Sequence, residues 1–65
     1  MRTTIVLADD HELVRESIAS LLREVSNFEV VGQCANGRKL LALVESVRPD
    51  VAVVDVSMPE LNGIE

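Results

Sequence analysis

Three short β-branched runs, separated by two stretches with a helical apolar stripe, leave this chain few folds to choose from. Residues 3–8 (TTIVLA), 28–34 (FEVVGQC) and 51–56 (VAVVDV) have the length and composition of strands. Gly32 makes the second less regular. The third is a continuous apolar run between Pro49 and Pro59, the pattern of a strand covered on both faces. Between them, residues 11–26 set Leu13, Val14, Ile18, Leu21, Leu22 and Val25 on one side of a helix, which Asn27 closes. Residues 38–48 do the same with Leu40, Leu41, Leu43, Val44 and Val47, and Pro49 stops them. Asp9 or Asp10 can cap the first helix, with Glu12 in capping-box spacing from Asp9, and Asn36 can cap the second. The order is β-α-β-α-β. Short connections between strands and helices imply a parallel sheet with right-handed crossovers, hence an α/β fold, doubly wound or part of one.

At 65 residues the chain permits one small domain. A domain of this size buries only ~60% of the surface its unfolded form exposes. Cys34 is the only cysteine, so no disulfide within the chain can staple it, and a lone thiol fits a reducing compartment. No apolar stretch approaches the roughly 20 residues of a membrane span, and the start lacks the features of a secretory signal. The chain therefore reads as soluble and cytoplasmic, with no membrane partner. Its net charge of −5, one aromatic residue (Phe28) and absence of a basic cluster argue against nucleic-acid binding by this segment.

The carboxyl ends of parallel strands share one edge, where α/β folds bind ligands. Asp9 and Asp10 follow the first strand, and Asp55 comes at the end of the third. If those strands are neighbours, three carboxylates converge and a cation is needed to offset their repulsion. Oxygen-only ligands suit Mg²⁺, which keeps several waters and takes phosphate as a further ligand. Asp55 then reads as a nucleophile. Against this, Asp9 and Asp10 alone could be helix caps, and Asp55 alone could face water. An acid after four apolar residues is less comfortable in that role, because a buried charge must be paired.

His11 reads as an exposed first-turn residue rather than a metal ligand or phosphohistidine, since no second His or Cys supports it. Cys34 reads as a small buried hydrophobe, Met58 as turn packing, and Arg38 and Lys39 as a solvated helix face. No G-x-x-x-x-G-K-[ST] or G-x-G-x-x-G precedes a helix, and residues 53–57 (VVDVS) do not form a D-x-D pair.

These residues together resemble the first half of a bacterial response-regulator receiver domain of the NarL/LuxR type. The resemblance runs over essentially the whole chain. It rests on the acid pair after strand 1, the lone acid ending strand 3, and D-x-x-M-P-x-x-x-G at Asp55, Met58, Pro59 and Gly63. It implies a three-stranded parallel sheet in order 2-1-3, a truncated flavodoxin-like fold. Asp55 would be the phospho-acceptor, taking a phosphoryl group from a sensor histidine kinase. Asp9, Asp10, Asp55 and the backbone carbonyl of Ser57 would hold Mg²⁺. The resemblance further implies that residues 1–65 are a partial receiver, without strands 4 and 5, helices 3 to 5, or the DNA-binding domain. The Ser/Thr and Lys that complete the family's phosphoryl site would lie in that missing part. Phosphotransfer by this chain alone is accordingly expected to be weak or absent, and strand 3, left as an edge, is expected to promote self-association or exchange of elements between copies. Receivers catalyse their own phosphotransfer without being free-standing enzymes. The alternative is a half-receiver acting only as a structural or oligomerisation module.

Overall fold

A computed structural model describes residues 2–55 and contains three strands and two helices. They are β1 (Thr3–Ala8), α1 (Glu12–Arg23), β2 (Phe28–Cys34), α2 (Gly37–Val47) and β3 (Val51–Val54), in the expected order. All pairings are parallel and the sheet order is β2-β1-β3. The chain moves from β1 outward to β2, then back across β1 to β3. Right-handed connections travelling in opposite directions put α1 and α2 on opposite faces of the sheet.

β1 is therefore covered on both sides. Ile5, Val6, Leu7 and Ala8 are all buried, and alternation sends Val6 and Ala8 to one face and Ile5 and Leu7 to the other. Val6 and Ala8 form one core with Cys34 and Leu40, against which Val31, Leu43, Val44 and Val54 pack. On the other face, Ala19 of α1 is fully buried. The pairing of β1 with β2 slips by one residue between Ile5 and Val6, so Val31 is the extra residue of a bulge next to Gly32. A Cβ at Gly32 would lie 2.9 Å from Leu43 Cδ1, so the glycine lets α2 sit close on β2.

The ends of the elements show which local signals prevailed. Asn36 caps α2 as expected: its side-chain oxygen accepts from the Lys39 N–H at 2.8 Å, a contact of about 1 kcal/mol. At the other end Arg48 adopts the left-handed conformation, φ 47°, and its N–H returns to the Val44 carbonyl before Pro49. α1 is shorter than its apolar stripe. It ends at Arg23, and Asn27 does not close it; the Asn27 carbonyl instead accepts from the Thr3 N–H, starting the β1–β2 ladder. Nor does either aspartate cap α1, whose N-cap is His11 with no side-chain cap bond. Ile18 and Leu22 are partly buried beside Ala19, whereas Leu13, Val14, Leu21 and Val25 are exposed. The stripe is wider than the face the sheet covers.

β3 also departs from expectation. It stops at Val54, and Val51 and Val53 are 44% and 37% exposed, because β3 is an edge strand bonded to β1 on one side among the described residues. Its register is pinned at the amino edge, where the Asp50 carboxylate accepts from the Thr4 N–H at 2.9 Å and the Thr4 hydroxyl at 3.1 Å. Asp50 N–H donates in return to Thr4 Oγ1 at 3.0 Å. Five residues downstream, that register decides where Asp55 falls.

Candidate functional site

The two ladders end by delivering acids to one place. Asp9 N–H donates to the Cys34 carbonyl at 3.1 Å, and Asp55 N–H donates to the Ala8 carbonyl at 3.0 Å. Both residues thus extend the sheet's hydrogen bonding by one step past β1 and β3. Strand adjacency, left conditional by the sequence, is realised. Asp9 is 7% exposed, and Asp10 and Asp55 keep partly exposed carboxylates. Ligand atoms of Asp9, Asp10, His11 and Asp55 all lie within 4.8 Å of one another.

His11 belongs to this group, contrary to its reading as a first-turn bystander. Its Nδ1 lies 3.1 Å from Asp9 Oδ1, 3.0 Å from Asp10 Oδ1 and 3.9 Å from Asp55 Oδ2. The cause is a tight turn: the Asp9 carboxylate accepts the His11 backbone N–H at 2.8 Å, which swings the imidazole back over the acids. That backbone N–H is the main reason the Asp9 carboxyl is held below its ordinary range. The imidazole and the Arg15 guanidinium add to it against the opposing effect of burial. The His11 imidazole is shifted up, chiefly by its hydrogen bond to Asp9 and then by the charges of Asp10, Asp9 and Asp55. Both shifts favour the charged pair. The sequence signal was adjacency alone, since His11 directly follows the two acids.

Arg15 is a second residue the sequence reading missed. It lies in the first half of α1, and its Nη1 donates to the Asp9 backbone carbonyl at 2.9 Å while Nε donates to Gln33 Oε1 at 3.2 Å. It braces the Asp9 turn against the end of β2. Cys34 is buried as expected, with its thiol pushed up by burial. A cleft of about 490 Å³ at the end of β2, lined by Arg15, Gln33, Cys34 and Lys39 among others, does not include the acids. Val56, Ser57, Met58, Pro59 and Gly63 lie outside the described residues, and with them the Ser57 carbonyl. No helix among the described residues is long and apolar enough to cross a membrane.

The donor set fits a hard divalent cation: three carboxylates from two adjacent strand ends, open enough on one side for water or phosphate oxygen. The arrangement concentrates negative charge at one edge of the sheet, where Asp9, Asp10 and Asp55 could hold a cation.

Comparison with known proteins agrees with this geometry. Residues 5–65 match the family model of the response regulator receiver domain. The transcriptional regulatory protein DegU of Brevibacillus brevis is 43% identical over 61 residues, 94% of this chain and 26% of that protein. The transcriptional regulatory protein BtsR of Escherichia coli K12 is 38% identical over the same shares. The signal receiver domain of NarL from Mycobacterium tuberculosis superposes with a TM-score of 0.86 at 36% identity, covering 89% of this chain and 47% of that one. A LuxR-family two-component response regulator from Aurantimonas sp. SI85-9A1 gives 0.87 at 30% identity, covering 91% and 42%. The chain spans about a quarter of the length of the curated relatives it matches.

Proposed function

From the premise that the chain belongs to the response regulator receiver domain family, we propose that it is a phospho-acceptor module of cytoplasmic two-component signalling, with Asp55 as the acceptor. The observation that carries this reading is the convergence of Asp9, Asp10 and Asp55 at the carboxyl edge of β1 and β3. An Asp55 carboxylate oxygen attacks phosphorus, a new P–O bond forms, and the P–N bond to the donor histidine of a sensor kinase breaks. The histidine nitrogen keeps the electron pair of that bond and, with a proton on the ring's other nitrogen, leaves as a neutral imidazole. Asp9, Asp10 and Asp55 would hold Mg²⁺, joined by the Ser57 carbonyl. Bound there, the ion supplies positive charge against the phosphoryl oxygens as charge builds between nucleophile and leaving group. Asp9, fixed by the His11 N–H and by Arg15, keeps its carboxylate ionised and in place. DNA contact would belong to a separate C-terminal domain, with residues 1–65 serving as a partial receiver.

Acetyl phosphate replaces the kinase in the direct test. Because the chain spans under half of the NarL receiver chain it superposes on, uptake is expected to be slow and is read as an end point. Intact mass after prolonged incubation with Mg²⁺ and excess donor should show a labile gain of one phosphate, absent from Asp55→Asn. No gain at all would favour the alternative of a non-phosphorylatable oligomerisation module, and a gain that persists in Asp55→Asn would overturn Asp55 as the acceptor.

The same chain is proposed to self-associate. Val51 and Val53 on the β3 edge and Leu13, Val14, Leu21 and Val25 on α1 leave apolar surface and unpaired strand groups open among the described residues. Pairing through the β3 edge, or exchange of elements between copies, would cover them. Sedimentation velocity should show a folded dimer or larger species at tens of micromolar; a folded monomer throughout that range would rule it out.

A further inference from the structure

The cleft of about 490 Å³ at the end of β2 stands apart from the acid cluster and carries the opposite charge. α1 supplies Arg15 to it and α2 supplies Lys39, and no carboxylate lines it among the described residues. In a chain of net charge −5, two cations facing one cleft are a local reversal of sign. Both charges are felt at its floor: burial pushes the Cys34 thiol up, and Arg15 and Lys39 pull against that effect. Neither cation is paired with a carboxylate. Arg15 donates from Nε to Gln33 Oε1 and from Nη1 to the Asp9 backbone carbonyl, both neutral acceptors, and Nη2 keeps its donors unused among the described residues. The Asp9 carboxyl feels the Arg15 charge without forming an ion pair with it. The Lys39 ammonium has no hydrogen bond or ion pair among the described residues. The remaining wall is apolar. Ala42 and Leu43 of α2 line it, and Leu43 sits so close on β2 that a Cβ at Gly32 would lie 2.9 Å from its Cδ1.

We propose that this cleft is a binding site for a small aliphatic carboxylate. The carboxylate accepts from Arg15 Nη2 and Lys39 Nζ, and its hydrocarbon chain lies along Ala42 and Leu43. The volume falls within the range of small-ligand sites, about 300–1,000 Å³. The bonds of Arg15 to Gln33 and to the Asp9 carbonyl hold the guanidinium before a ligand arrives, so less side-chain freedom is lost on binding. A cationic molecule would be repelled by the two charges, and a neutral one would gain little from them. One negative charge suits the cleft better than the two of a phosphate ester, because the chain as a whole is negative. The inference does not depend on Asp55 being a phospho-acceptor.

The whole chain, labelled with ¹⁵N, is titrated with sodium hexanoate while the amide resonances are followed by NMR. Divalent cations are left out, so that the acid cluster repels the probe, and salt of about 0.15 M screens distant charges. Saturable shifts are expected at residues 33–35, 39, 42 and 43. Hexanoate should bind about tenfold or more tighter than acetate, since each fully buried methylene contributes about fourfold. Lys39→Gln should weaken hexanoate about threefold or more. Ala42→Glu, which sets a carboxylate in the apolar wall, should weaken it by a similar factor. Arg38→Gln removes a charge that does not line the cleft and should change the affinity by less than about 1.5-fold. The amide spectra show in the same experiment that each variant is folded. No saturable shift at these residues with hexanoate up to about 20 mM would overturn the proposal. So would equal shifts from hexanol, which would leave the cations without a role, or equal affinity for acetate, which would leave the apolar wall without one. Equal weakening in Arg38→Gln and Lys39→Gln would assign the binding to net charge rather than to this cleft, and would overturn it too.

Discussion

Leu7→Ala is expected to lower the chain's stability by about 2–5 kcal/mol, whereas Leu13→Ala should melt with the wild type. Leu7 is 1% exposed in the central strand, where both faces of the sheet are covered. Removing a buried leucine side chain costs about 2–5 kcal/mol, partly transfer and partly the cavity left behind. A chain of 65 residues has a total stability of about 3–10 kcal/mol, so one such loss removes a large share of it. Leu13 is 80% exposed, and truncating it should change stability by less than about 0.5 kcal/mol. Leu7→Met, which conserves volume, should cost under about 1.5 kcal/mol and keep the fold. Urea titrations followed by circular dichroism measure all three, at one protein concentration because association would raise the apparent stability. Equal midpoints for Leu7→Ala and wild type would mean that β1 is not the core strand.

Removing the divalent cation, or the charge of Asp9, should abolish phosphoryl uptake while the fold remains. Asp9→Asn keeps an oxygen that can accept the His11 N–H, so the turn survives and only the negative charge is lost. Without that charge the site holds a cation less well, and repulsion between the Asp55 carboxylate and the incoming phosphoryl group goes unopposed. Uptake from acetyl phosphate should fall by about 100-fold or more in Asp9→Asn and in wild type with excess EDTA. Circular dichroism of both samples should match the untreated chain. Uptake that proceeds unchanged in EDTA would separate the acid cluster from phosphoryl chemistry.

What could be read from the residues follows from how local each signal is. β1, the order of elements and the Asn36 cap depend on neighbours in sequence, and all three appear where expected. Asp9 and Asp55 required only the geometry of parallel strands, whose carboxyl ends meet at one edge. The rest needed contacts between elements. The stripe of α1 could not tell Ala19, which meets the sheet, from Leu13 and Leu21, which do not. Residues 24–26 continue the helical pattern, but the Glu24 and Val25 N–H groups bond only three residues back, to the Leu21 and Leu22 carbonyls, and the chain turns there toward β2. The apolar run of β3 was misleading in the same way, because composition cannot show that one flank of a strand is open. Arg15 and His11 were missed since each acts through a turn: one reaches back to the Asp9 carbonyl, the other is folded over by the Asp9 carboxylate.

The acceptor itself can be located chemically. An aspartyl phosphate is an acyl phosphate, which borohydride reduces to homoserine, marking the residue that carried it. The chain is incubated with Mg²⁺ and acetyl phosphate, reduced, digested and sequenced by mass spectrometry. Homoserine at position 55 and nowhere else is the expected result. Homoserine at position 9 or 10, or phosphate found on His11 instead, would contradict the assignment of Asp55 as the phospho-acceptor.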